Sequence, residues 1–380
     1  MSIQIDNLGI LKDLTICVPV RDRQVNLSKI LSYYKNVNCK KIIFDTSKYA
    51  YDNDDLVKEA GFDYVYWGPI PYFEKWQKIL SIVDTKYFID CPDDDIALIT
   101  SLPPCVEFLN ENEDYSACCG IELGFFTETI YPVPSTQMYI NQLFYDYKSD
   151  NVYDRIEYFL AKRPVSMWHS VQRSQVCRDY WDMINSEKQI QYLGYFEFMH
   201  AVHVSANGNI KVLPTVFRMR NFRKDKHAQR VHQVGAAPEE LKINKNLKDN
   251  LNFGHFLPML SEIRKHDTQK SLSESFDFLK KVHKQNATAV SEIMSLWPRK
   301  GEWKLGRVIP DFAPKGYRAK EIVNQKQDLA IFSRLWCGES SFSHVRQGLY
   351  FEGYAAPELS PSKKNKDTTP DANKTRQSKK

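Results

Sequence analysis

The chain has 380 residues, enough to bury a sizeable core in one large domain or two to three smaller ones. With 42% hydrophobic, 26% charged and 13% aromatic residues it has the composition of a soluble globular protein rich in core anchors and flat stacking surfaces. Its formal charge of +5 equals that of its last twenty residues, which hold seven Lys or Arg and two Asp, so the rest is near neutral and no nucleic-acid partner is expected.

The first hundred residues alternate strand and helix signals. DLTICVPV (13–20) is an apolar, β-branched run that predicts a strand, and VNLSKILSYYKN (25–36) has apolar residues at helical spacing. CKKIIFDTS (39–47) predicts a second strand, YDNDDLVKEAG (51–61) a helix closed by Gly61, and FDYVYWG (62–68) a third strand. PYFEKWQKILSIV (71–83) predicts an amphipathic helix with Phe73, Trp76, Ile79, Leu80 and Val83 on one face, and KYFID (86–90) a fourth strand. This β-α-β-α-β-α-β order implies a parallel, doubly wound sheet, whose ligands bind beyond the carboxyl ends of the strands. Asp22, Asp45 and the block Asp93-Asp94-Asp95 all follow predicted strands and are expected to converge on one crevice.

Further on, SACCGIELGFF reads as a strand pair or one bulged strand, and NQLFYDYKSDNVYDRIEYFLAK as helical in its second half. VSMWHSVQRSQVCRDYWDMI runs from a strand into a helix; YFEFMHAVHVSANG is a helix stopped by Gly208, before a strand at 209–220. From 236 the pattern is mainly helical with Lys-rich polar faces, and after Gly353 it turns to Ser, Pro, Lys, Asn and Thr. The expected division is 1–235, an α/β domain; 236–350, mainly helical; and 351–380, a disordered basic tail.

Eight Cys in no metal-site pattern, no signal-like N-terminus and no run of eighteen apolar residues lead to the expectation of a cytoplasmic protein with reduced thiols. The vicinal Cys118-Cys119 reads as buried strand rather than nucleophile. Peripheral contact with a membrane remains open through the Lys-rich helices and the basic tail.

The acidic block poses the chemical question. Packing three carboxylates behind the apolar run Tyr87-Phe88-Ile89 is costly unless positive charge sits there. Asp93 and Asp95, at alternate positions, can place oxygens around one hard divalent cation, Mg²⁺ or Mn²⁺, which also takes substrate phosphates. The other reading is a loop whose Asp caps a helix and favours its dipole.

These residues carry a resemblance. LTICVPVRDR is similar to the opening strand of family 2 glycosyltransferases: Pro19 and Arg23 match, Val20 stands for Thr, Arg21 for Tyr and Asp22 for Asn. KKIIFDTS resembles the second strand of that family, with Asp45 and Ser47 on its Asp and Ser. TKYFIDCPDDD resembles the strand and acidic motif of a bacterial polysaccharide-biosynthesis branch, which also has an aromatic-rich helix like PYFEKWQKIL before the motif and a later helix start like SVQR. GYFEFMHAVHVSANGNIKVLP looks like the downstream helix, turn and strand, and the resemblance covers about residues 13–222.

The resemblance implies a GT-A fold, a Rossmann-like nucleotide-diphospho-sugar transferase domain with a helical C-terminal extension. It implies metal-dependent, inverting transfer of a sugar from a nucleoside diphosphate donor, a UDP-sugar favoured, to a glycan or lipid-linked acceptor in surface polysaccharide synthesis. Pro19, Val20 and Arg21 would line the nucleotide pocket, and Asp45, with Ser47 beside it, would accept a hydrogen bond from the base. Asp93 and Asp95 would bind metal, ribose and diphosphate, Asp94 sharing one of these roles. Glu197 falls where the family has its general base, although the usual Glu-Asp pair reads Glu197-Phe198 here. Glu122 and Asp154 are rival bases.

Arg218, Arg220 and Arg223 are candidates for the diphosphate, and His227 and His232 lie in a basic loop that reads as a lid. Lys75 and Lys78 fall on the polar face of their helix and read as solvated. Trp168 and His169 open WHSVQR, where a Trp suits either an acceptor sugar or the core. Glu197, His200 and His203 have the spacing ExxHxxH, but the third position turns away from the face of the first two. One alternative is a sugar nucleotidyltransferase, which would want a Gly-rich loop after the first strand where PVRDRQVNL has none. The other is a catalytically inactive binding protein of the same fold.

Overall fold

In the computed structural model the described residues are 8–125, 146–162, 167–185, 193–221 and 253–295, with 328, 331 and 335. The early alternation folds as its periodicity dictates. Strands β1 (Leu14–Val20), β2 (Lys40–Asp45), β3 (Asp63–Tyr66) and β4 (Tyr87–Asp90) alternate with helices α1 (Leu27–Tyr34), α2 (Asp54–Glu59) and α3 (Tyr72–Ile82). Asn53 caps α2 by accepting from the Leu56 amide, and Gly61 closes the turn behind it at φ 68°, where a side chain would be strained. Trp76, Ile79, Leu80 and Val83, the apolar face of α3, are buried against the sheet.

β5 (Ile96–Ala97) leads into α4 (Leu102–Glu111) and β6 (Tyr115–Phe125); β7 (Asp146–Tyr147) precedes α5 (Val152–Lys162). Then come β8 (Val171–Arg173), α6 (Ser174–Asn185), α7 (Leu193–Ala206), β9 (Asn209–Asn221), α8 (Phe253–His266) and α9 (Leu272–Ser295). The sheet order is β3-β2-β1-β4-β8-β6-β9-β5, with β7 also paired to β9.

The β3-β2-β1-β4 half is parallel, as expected from the β-α alternation. Beyond β4 the sheet is mixed. β8 is antiparallel to both β4 and β6, so β6 resumes the direction of β4. β8 and the helix α6 behind it answer the strand-into-helix signal of VSMWHSVQRSQVCRDYWDMI. β6 is the bulged-strand alternative: it pairs with β9 in parallel with register shifts between Tyr115 and Ala117 and on either side of Ile121.

Gly120 sits in this bulged stretch, where a Cβ would lie 2.5 Å from the Thr215 carbonyl oxygen and 2.9 Å from the Phe217 Cβ. Gly120→Ala is therefore expected to push β6 off β9 and cost about 2–3 kcal/mol, read as a lowered midpoint in urea unfolding.

α8 and α9 pack on α5 and α7, with Tyr153 bonded to Ser275 at 2.7 Å and the Tyr153 and Phe278 rings edge to face at 4.9 Å. Asp328 is buried against α1 and the turn between β5 and α4. Its carboxylate accepts from the Tyr33 hydroxyl and, at 2.9 Å each, from the Thr100 amide and hydroxyl; burial raises its pKa to about 6 despite these bonds. The tail 351–380 and the segments carrying Arg223, His227 and His232 lie outside the described residues.

Candidate active site

The crevice begins where β1 and β2 end side by side. The Thr46 amide and hydroxyl donate to the Val20 carbonyl at 3.0 and 3.1 Å. Asp22 turns the chain at φ 54°, a left-handed conformation that Asp tolerates better than most residues. Its amide donates to Ser47 Oγ at 2.7 Å and its carboxylate accepts from the Lys48 amide at 2.9 Å. These bonds join the loops after β1 and β2 into one rigid lip. Pro19 and Val20 end β1 in register with Phe44 and Asp45, and Arg21 follows them half-buried.

Asp45 is fully buried, with both oxygens engaged by the protein. Oδ1 accepts from the Ser47 amide at 2.8 Å; Oδ2 accepts from Gln24 Nε2 at 2.6 Å and the Tyr64 hydroxyl at 2.7 Å. Gln24 also reaches the Tyr49 carbonyl and is the partner that a ligand can displace without opening the backbone.

Lys75 corrects its sequence reading. α3 lies across the strand ends, so this position on the helix is buried rather than solvated. Its ammonium donates to the Val20 carbonyl at 3.3 Å and to the Thr46 hydroxyl at 3.4 Å. Burial lowers its pKa to about 8; Asp93, Asp90 and Asp45 work against that and Arg21 adds to it. Lys78, half-exposed, pairs with Glu74 at 3.4 Å.

The acidic block proves to have cations supplied by the chain itself. Asp93 and Asp94 both receive Arg23 from the β1 lip, one guanidinium nitrogen each. Burial works to lower the Arg23 pKa, but Asp93 and Asp94 outweigh it and the net shift is upward. Asp95 receives Arg218 from β9, and the other guanidinium nitrogen of Arg218 lies 3.3 Å from Glu122 Oε1 on β6. Asp93, Asp95, Glu122 and Arg218 are all buried. Asp93 and Asp95, the expected metal ligands, are thus held by two different guanidiniums. Among the described residues no group of three or more His, Cys, Asp and Glu side chains is arranged to hold a metal ion. As arranged, the set does not fit a resident Mg²⁺ or Mn²⁺, because the charge that the block requires is already in place.

The remaining candidates disperse. Glu197 is exposed on α7 between the buried Phe196 and Phe198. Glu122 is committed to Arg218, and Asp154, exposed in the first turn of α5, accepts from Ser149 Oγ at 3.3 Å. His200 stacks on Trp168 with ring centroids 4.8 Å apart, and His203 Nε2 lies 2.9 Å from the Val176 carbonyl, so both are core histidines. Trp168 is itself core, within ring distance of Trp76, Trp181 and Tyr180. Cys118 and Cys119 are buried in β6, and burial raises both thiols well above their ordinary range. Arg220 is on β9, its side chain outside the described residues.

Sequence reasoning assigned no site role to Asp90 and His169. Asp90 ends β4, and its Oδ2 and backbone carbonyl each lie 3.3 Å from His169 Nδ1. No pattern of spacing joins two residues 79 positions apart.

No protein-family model matches the chain, and no curated protein does. Among solved structures it is similar to S. aureus TarS 1-349, at 11% identity and TM-score 0.43 over 89% of this chain and 92% of that one. A second structure, TarS 1-349 in complex with UDP-GlcNAc, is 12% identical with a TM-score of 0.39 over 89% and 93% of the two chains. A longer TarS structure gives 11% and 0.35 over 76% of this chain and 56% of that one. At such values the likeness leaves the chemistry to the residues themselves. No helix among the described residues is long and apolar enough to cross a membrane.

Proposed function

We propose that the chain is a GT-A-type glycosyltransferase, moving a sugar from a nucleoside diphosphate donor, a UDP-sugar favoured, to a glycan or lipid-linked acceptor, with surface polysaccharide synthesis as its setting. One observation carries this reading. At the carboxyl ends of β1, β2 and β4, in a parallel β3-β2-β1-β4 half-sheet, Asp45, Lys75 and the Arg23–Asp93–Asp94 cluster come together. This is the edge at which open α/β sheets bind nucleotides.

In this reading Pro19, Val20 and Arg21 flank the nucleotide, and Asp45 receives the base N–H in place of the Gln24 amide. Lys75 and Arg23 offer two cations to the diphosphate. Arg23 can keep Asp93 and Asp94 and still meet phosphate oxygens, because a guanidinium carries five N–H donors and the two carboxylates need not take them all. The charge on the departing diphosphate is then stabilised by groups already aimed at it. The expectation of a resident divalent cation is not carried into this scheme, since Arg23 and Arg218 occupy its partners. The missing Gly-rich loop weighs against a nucleotidyltransferase.

A panel of nucleoside diphosphate sugars screened by thermal shift and by donor hydrolysis tests the reading. A UDP-sugar is expected to raise the melting temperature, and to do so in EDTA to within a few degrees of its effect in Mn²⁺. A shift seen only with Mn²⁺ reassigns Asp93 and Asp95 to a metal. No shift with any donor in either condition overturns the transferase and leaves the inactive-fold alternative.

A further inference from the structure

An inverting transfer needs a group to take the proton of the attacking hydroxyl, and the described structure contains a built imidazole–carboxylate pair beside the acidic block. β8 pairs antiparallel with β4 through Phe88↔Gln172 and Tyr87↔Arg173. Continuing that register brings the turn before β8, Met167–His169, opposite the end of β4. The turn is fixed by three bonds to the Met167 carbonyl, from the Ser170 amide and hydroxyl at 3.2 and 2.6 Å and from the Gln172 amide group. Trp168 anchors it in the aromatic core. His169 is therefore positioned by the sheet beside Asp90, which lies three residues before the acidic block.

The hydrogen bonds decide the tautomer. Both partners of His169 Nδ1, Asp90 Oδ2 and the Asp90 carbonyl, are acceptors. In the neutral ring Nδ1 therefore carries the proton, and Nε2 keeps its lone pair. None of the described residues engages Nε2, and the side chain is 15% exposed, so among them nothing takes up its lone pair. Asp90 is buried, and its second oxygen, Oδ1, has no hydrogen-bond partner among the described residues.

We propose that His169, oriented by Asp90, is the general base of the transfer; this rests on the glycosyltransferase reading above. His169 Nε2 takes the proton of the acceptor O–H as that oxygen's electron pair forms the new bond to the anomeric carbon. The anomeric carbon–oxygen bond to the diphosphate breaks, and its electron pair leaves with the nucleoside diphosphate. Asp90 is a positioning residue: it sets the tautomer and stabilises the imidazolium.

The test uses the full chain, a hydrolysable nucleoside diphosphate sugar and water as acceptor. His169→Gln is expected to lose at least about 100-fold in kcat, with donor affinity by calorimetry within about twofold of wild type. His169→Gly is expected to regain turnover when free imidazole is added, which a merely structural role would not allow. Asp90→Asn is expected to lower kcat at unchanged KM, with partial return in Asp90→Glu. Turnover within threefold of wild type in His169→Gln overturns the proposal, as does a folded His169→Gly that imidazole does not rescue. So does loss of turnover in Glu197→Ala alone, which would make Glu197 the base. A wild-type chain that binds no donor overturns the transferase reading and this role with it; a wild type that turns over narrows any failure to the pair.

Discussion

Arg218→Met is expected to destabilise the protein by about 3–5 kcal/mol, because it leaves two carboxylates in the interior without their cation. Asp95 immediately precedes β5 and Glu122 lies on β6, and both meet the Arg218 guanidinium from β9. All three groups are buried, so water cannot take over the role of Arg218. Removing the charge of all three together is a different matter. Asp95→Asn with Glu122→Gln and Arg218→Met is expected to recover most of the loss, since no ion is then stranded. Urea unfolding of the single and triple variants reads both effects. A single variant within 1 kcal/mol of wild type would show that the pairs contribute little.

Lys75→Met is expected to act the other way on stability while weakening the donor complex. The buried ammonium has a pKa of about 8, against an ordinary value of 10.5. Between those values the unfolded chain binds the proton and the folded chain increasingly does not, so wild-type stability rises with pH across the window. Below pH 8 the charged form is present in both states and its burial costs the full difference, about 3 kcal/mol at most. The variant is therefore expected to be more stable by about 1–3 kcal/mol at pH 7. Its advantage should fade as pH climbs from 8 towards 10.5. Donor affinity should fall about 10–100-fold, the worth of one desolvated charge-assisted bond to phosphate. A variant less stable than wild type at pH 7, with donor binding intact, would make Lys75 a structural tie between β1 and β2. The first variant strands buried charge and the second removes a charge placed for use, which is why the expected signs differ.

Much of the N-terminal half was legible in the chain. The β-branched runs and the 3.6-residue spacing locate four strands and three helices within about three residues of their observed ends. Their alternation implies the parallel half-sheet, and the acidic block falls at its crevice edge. The candidate site was legible as an address more than as chemistry. Asp45, Asp93 and Asp95 were found, but their partners were not, since Arg218 pairs with Asp95 from 123 residues away. Lys75 sits on a polar helical face by periodicity and yet is buried, because burial depends on what the helix lies across. Asp90 looked like a strand end, and it became more than that only when β8 was inserted antiparallel beside β4.

By itself, then, the sequence determined which segments are strands and helices, where the carboxylates fall relative to strand ends, and that the acidic block requires compensating charge. These are local properties, governed by side-chain period and desolvation. Which of the chain's own cations meet the block was decided by tertiary structure: Arg23 arrives from the first strand's lip and Arg218 from the last strand. The sheet likewise brought His169 to Asp90, because β8 pairs antiparallel with β4, a pairing that no local pattern states. Pairing between distant segments follows from strand order, and strand order is settled by packing the whole sheet rather than by any one stretch of it.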